Sequence, residues 1–95
     1  MGTVTTPVHN FQLFPFISSG GPDGRPRHFW CVKEPKSWIE ANALGELYAD
    51  MVIDHMKFHN LEPLLGWVMC DMIAEGRWGG VEIGFAGRIA ERLMR

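Results

Sequence analysis

The sequence predicts a mainly α domain, three helices preceded by an extended or short β-hairpin flank. Three observations carry that prediction. Apolar residues after Pro35 recur at three- and four-residue steps. The residues before Pro35 lack that period and are broken by Gly and Pro. Helix start and stop signals fall at the ends of the periodic stretches. With 95 residues, 46% of them hydrophobic and 21% charged, the chain has room for one globular core.

Residues 1–10 are small and polar and are expected to form a flexible N-terminus. Residues 11–95 then make a single small domain, with 11–34 as the extended or β flank and 37–93 as the helical part. In Phe11–Ile17, Pro15 removes a backbone donor and biases Phe14 to extended geometry, which predicts an extended or edge-strand segment. Residues 18–26 are rich in Gly, Pro and Ser and read as a loop. His28-Phe29-Trp30-Cys31-Val32 reads as a short strand, and the two segments form either a long-looped hairpin or extended cover over the helices.

The first helix starts at a capping box, Ser37-Trp38-Ile39-Glu40, and runs to about His59. Its expected inner face is Leu44, Tyr48, Met51, Val52, His55 and Phe58, and Gly45 inside it would permit close approach of another backbone. Pro63 opens a second helix, Leu64 to Glu75, which is apolar nearly all round and is stopped by the glycines of residues 76–80. The third helix, Val81 to Leu93, carries Val81, Phe85, Ile89 and Leu93 at four-residue steps. Gly84 and Gly87 lower its propensity, so it depends on tertiary packing.

The motifs exclude more than they assign. His55 and His59 share a helix face, but no second ligand pair supports a metal site, so no metal is expected. Cys70, among Val68, Met69 and Met72, reads as a small buried hydrophobe rather than a nucleophile. Asp71 and Glu75 read as a solvated polar face rather than an acid/base pair. The glycine clusters lack a Walker lysine or a dinucleotide fingerprint. No catalytic constellation and no cofactor follow, and the chain is expected not to be an enzyme.

Two cysteines make no disulfide framework, the N-terminus does not resemble a secretory signal, and no apolar run approaches the ~20 residues of a membrane span. A cytoplasmic protein without a membrane partner is the expectation. A net charge of −2 supplies no general attraction to nucleic acid. The alternative of a helix-turn-helix-like DNA-binding regulator meets a poor recognition helix. It opens on Val81, Glu82, Ile83 and Gly84, places Arg88, Arg92 and Arg95 late, and follows a five-residue link.

What remains is quantity. Four Trp, six Phe and six Met exceed what a three-helix core of this size readily encloses, and an exposed apolar patch of that kind marks a protein interface. The expected protein-binding residues are Leu64, Trp67, Val68, Met72, Trp78 and Phe85, centred on the second helix, with Trp67 and Trp78 as anchors. The competing reading is that Phe11–Ile17 folds over the second helix and covers it.

The segments His28–Val32, Asn42-Ala43-Leu44-Gly45, Leu64-Leu65-Gly66-Trp67-Val68, Asp71-Met72 and Gly80-Val81-Glu82-Ile83-Gly84-Phe85 carry a resemblance. Over roughly residues 28–90 the chain resembles small proteins that accompany integrative and conjugative elements of α-proteobacteria, among them quorum-sensing antiactivators. That resemblance implies an inhibitor that captures a transcriptional activator through a hydrophobic surface, with no cofactor. It assigns no binding residue to a position of this chain.

Overall fold

The structure is a computed structural model and describes residues 14–20, 24 and 27–95. The expectations for residues 1–13, including the frayed N-terminus and the start of the first extended segment, lie outside the described residues. Five elements follow in order: β1 (Ser18–Ser19), β2 (Arg27–His28), α1 (Trp38–His59), α2 (Leu64–Glu75) and α3 (Gly80–Leu93). The chain is mainly helical, with a short antiparallel two-stranded sheet on its N-terminal side.

The flank is a hairpin, but its ladder sits elsewhere than expected. The strands pair Ser18 with His28 and Ser19 with Arg27, next to the loop, and the Cys31 N–H donates to the Phe16 carbonyl at 2.8 Å. Phe14–Ile17 is a turn rather than a strand. The Ile17 N–H donates to the Phe14 carbonyl at 3.2 Å, with Pro15 at the turn position that its fixed φ suits. The turn drives aromatic rings inward. Phe16 lies 4.5 Å from the Tyr48 ring and 5.5 Å from the Trp30 ring, and Trp30 stands edge-on to Phe85 at 5.1 Å. Phe14, Phe16 and Trp30 are buried with Tyr48, Val52, Leu64, Val68 and Met72 in one core. Burial pushes the Tyr48 phenol above its ordinary value of 10.0, because the phenolate would be desolvated there.

Helix boundaries follow their signals. The Ser37 hydroxyl accepts the Glu40 N–H at the start of α1, and Asn60 ends it in the left-handed region at φ 53°. Pro63 stands immediately before α2 and Gly76 closes it at φ 71°. Gly80 is already helical, so the α2–α3 link is four residues rather than five.

The inner face of α1 keeps Tyr48 and Val52 of the expected set but is otherwise different. Its buried residues are Ala41, Gly45, Tyr48, Ala49 and Val52; Phe58 is exposed, and Leu44 and Met51 are only partly covered. The small residues are selected by α3. A Cβ on Gly45 would overlap the Val81 carbonyl oxygen and stand 2.7 Å from the Phe85 nitrogen, and one on Gly84 would overlap the backbone at Asn42. These contacts ascend together along both helices: Ala41 lies beside Gly80, Asn42 beside Gly84, and Asp50 and Asp54 on Arg92. The two helices are therefore parallel, backbone against backbone, with α2 providing the return. The four-residue spacing of α3 misled in the same way. Each such step overshoots the 3.6-residue turn, so Val81 and Phe85 face the core while Leu93 has rotated out to 79% exposure.

Two buried carboxylates brace the assembly. Glu82, fully buried, accepts the Trp30 indole N–H at 2.8 Å and the Gly79 N–H at 2.8 Å, with the Arg77 guanidinium 3.7 Å away. Arg77 in turn donates to the Val32 carbonyl at 2.6 Å. Glu34 reaches the Gly80 and Val81 N–H groups at 3.2 and 3.4 Å, sealing the positive end of α3 from outside the helix. Asp71, expected on a solvated face, is buried, because its carboxylate accepts the Phe29 N–H at 2.8 Å and ties the hairpin to α2. Its neighbour Glu75 stays at the surface and meets His28 at 3.3 Å.

Candidate protein-binding surface

The helix that is apolar all round has one covered face and one bare face. Leu64, Val68, Asp71 and Met72 form the buried stripe of α2. The other side presents Gly66, Met69, Cys70, Ile73 and Ala74, all exposed, with Ile73 at 61%. Cys70 is therefore not the buried hydrophobe expected from its neighbours. It points away from the core because it lies on the opposite side of the helix from Leu64, Val68 and Met72.

Of the six expected contact residues, four belong to the interior. Leu64 and Val68 are wholly enclosed, and Met72 and Phe85 are 1% exposed. Their apolar area is already largely buried in the core with the hairpin aromatics and α1. Trp67 and Trp78 are at the surface, at 40% and 52% exposure. The structure does not bring them together. Trp67 packs on Phe29 with ring centroids 5.5 Å apart, on the hairpin side of α2. Met69, two residues on, projects from the other flank, as residues two apart on a helix must.

On that flank α2 and α3 open into a groove of about 220 Å³, lined by Met69, Met72, Trp78, Phe85, Ala86, Ile89, Ala90 and Leu93. Sequence reasoning found Met72, Trp78 and Phe85 of this set and missed Met69, Ala86, Ile89, Ala90 and Leu93. The walls are almost wholly apolar. Met69 and Met72 give an adaptable side, while Ala86 and Ala90 keep the α3 wall low enough for another chain to approach. The Phe14–Ile17 turn does not reach this region. It packs on α1, Phe14 lying 5.0 Å from His55 and Phe16 against Tyr48.

The charged groups are arranged around the opposite side of α3. Arg88 meets Glu91 at 3.0 Å and Glu46 at 3.4 Å, Arg92 meets Asp54 at 3.0 Å and Asp50 at 3.2 Å, and Arg95 meets Glu91 at 2.7 Å. Hydrogen bonds donated to Asp54 and then to Asp50 hold the Arg92 guanidinium even more firmly protonated than usual. The guanidinium groups that a recognition helix would offer to phosphates are thus engaged by carboxylates. The first residues of α3, Gly80, Val81 and Glu82, are buried.

His55 and His59 stack on each other at 4.3 Å, between Phe14 and Phe58. Among the described residues, no group of three or more His, Cys, Asp or Glu is placed to hold a metal ion, and no helix is long and apolar enough to cross a membrane. The chemistry that the described surface offers most plainly is the burial of aliphatic and aromatic side chains from another molecule. Compared with models of known families, with curated proteins and with solved structures, the chain matches none.

Proposed function

We propose that this chain is a protein-binding inhibitor that sequesters a transcriptional activator through the apolar groove between α2 and α3. The observation that carries the reading is the groove itself, which is open, nearly free of polar lining and flanked by the half-exposed Trp78. An exposed patch of this kind is costly to leave in water unless a partner covers it. Each aliphatic side chain that a partner buries there contributes about 1.5–3 kcal/mol, so a few anchors suffice for stable capture. The resemblance to antiactivators supplies the class of partner, and a cytoplasmic setting is part of the same proposal. The paired state of Arg88 and Arg92, and the enclosed N-terminus of α3, weigh against the DNA-binding alternative.

Affinity capture from the source cell, with bound proteins identified by mass spectrometry, tests the reading. The unaltered chain is expected to retain a transcriptional activator. Met69→Glu is expected to lose it while keeping its helical circular dichroism, since Met69 is at the surface and its replacement places a charge in the groove. A folded Met69→Glu protein that still holds the activator would remove the groove from the account. Duplex binding at low salt that weakens when Arg88 or Arg92 is neutralised would favour the DNA reading instead.

A further inference from the structure

The side of α3 turned away from α1 carries Ile83, Ala86, Gly87, Ala90 and Leu93, followed by Met94 at the helix end, with no charged residue among them. All six are exposed, Ile83 at 45%, Leu93 at 79% and Met94 at 86%. Glycine weakens a helix interior relative to alanine. At Gly87 nothing among the described residues calls for it, because an added Cβ would meet none of their atoms within 4 Å.

The spacing of this stripe reads the same in both directions. Ile83, Ala86, Ala90 and Leu93 are separated by three, four and three residues, large side chains outside and alanines inside. A second copy of α3 laid antiparallel would set Ile83 against Leu93 of that copy and Ala86 against its Ala90. The two-fold axis then repeats both pairs. The central alanines and Gly87 let the two backbones approach, and the outer residues close the seam as coiled-coil core positions do.

We propose that two copies of this chain associate through α3, antiparallel, with Ile83 opposite Leu93 and the alanines at the axis. The exposed parts of Trp78, Ile83, Leu93 and Met94 make about 400–650 Å² a side if a whole large side chain counts for roughly the 150–250 Å² of an aromatic one, and the small residues between them add to it. A standard specific interface uses roughly 800 Å² per partner, so the face supplies the larger part of what a stable pair buries. The charges of both signs along its edge are already balanced within each copy, Glu91 by Arg88 and Arg95. The pairing does not depend on the proposed function. One consequence does rest on that reading: Ala86, Ala90 and Leu93 also line the groove, so self-association and capture of the activator exclude each other.

Sedimentation or light scattering of the full chain is expected to give the mass of a dimer at micromolar concentrations. Ile83→Glu is expected to raise the dissociation constant at least tenfold with helical circular dichroism unchanged. For the register, Cys31 and Cys70 are first replaced by serine. On oxidation, a chain carrying both Ile83→Cys and Leu93→Cys is then expected to form covalent dimers, and chains carrying either change alone are not. A monomeric chain throughout that range, a dimer indifferent to Ile83→Glu, or covalent dimers from a single cysteine would each overturn the proposal. Met69→Glu separates the two readings, since it is expected to abolish capture and leave the dimer mass intact. Loss of the dimer hypothesis with capture preserved would leave the proposed function standing.

Discussion

The seam between α1 and α3 and the outer side of α2 are built from opposite materials. The seam joins backbones through Ala41, Gly45, Gly80 and Gly84, then finishes in a lattice of arginines and carboxylates. The outer side of α2 is large and apolar, with Met69 and Ile73 bare and only the opposite stripe inside the core. The difference teaches where this domain closes on itself and where it leaves apolar surface exposed. Small residues hold the frame together, whereas many of the large ones are left over for something else.

The strongest way to break that comparison is to add one methyl group to the seam. Gly45→Ala would force its Cβ onto the Val81 carbonyl, which is backbone and cannot turn aside. A loss on the order of 3 kcal/mol is expected, read as a lower urea midpoint with an unchanged slope. A wild-type midpoint would show that the helices are not in backbone contact. Next in size is Asp71→Ala, which strips the Phe29 N–H of its acceptor and should cost about 1–3 kcal/mol. Faster hydrogen exchange at Phe29, with protection along α1 and α3 retained, would show that α2 and the hairpin open as a unit separate from the seam. Smallest, and opposite in sign, is Gly66→Ala on the bare side of α2, where an added Cβ meets nothing. A gain of about 0.5–1 kcal/mol in thermal or urea unfolding is expected, and a loss there would mean that this surface is already packed.

The helices themselves were legible in the sequence because caps and breakers are local. Ser37, Pro63 and Gly76 act within a few residues of where they stand, and they mark the ends that α1 and α2 have. Which face turns inward was legible only in part. Hydrophobic size selects Leu44, Met51 and Phe58 on α1, but the contact with α3 is made by residues whose virtue is lack of bulk. On α2, a sequence apolar on all sides cannot show which side meets the core, so Leu64, Val68 and Met72 looked as available as Met69. The inward carboxylates were beyond local reasoning. Asp71 and Glu82 are acceptable in the interior in large part because a backbone N–H and an indole N–H, 42 and 52 residues away, wait for them there. The comparable signal on the surface was present and small. Ala86, Gly87 and Ala90 sit together on α3, at positions where a helix in water would ordinarily carry charge.

The parallel course of α1 and α3 also bears on how the chain comes to be folded. Neighbouring antiparallel helices can zip together from their connecting loop, but here the helices that fit each other most closely are separated by the whole of α2. The Glu34 carboxylate that seals α3 finds its partners 46 and 47 residues later. Contacts so distant along the chain slow folding relative to a simple helical hairpin. During synthesis α1 emerges long before the helix that covers its glycine and alanine face. Until residue 80 and beyond have left the ribosome, the Ala41 and Gly45 side of α1 lacks the helix that closes on it, while the Tyr48 side can already meet Phe16 and the hairpin.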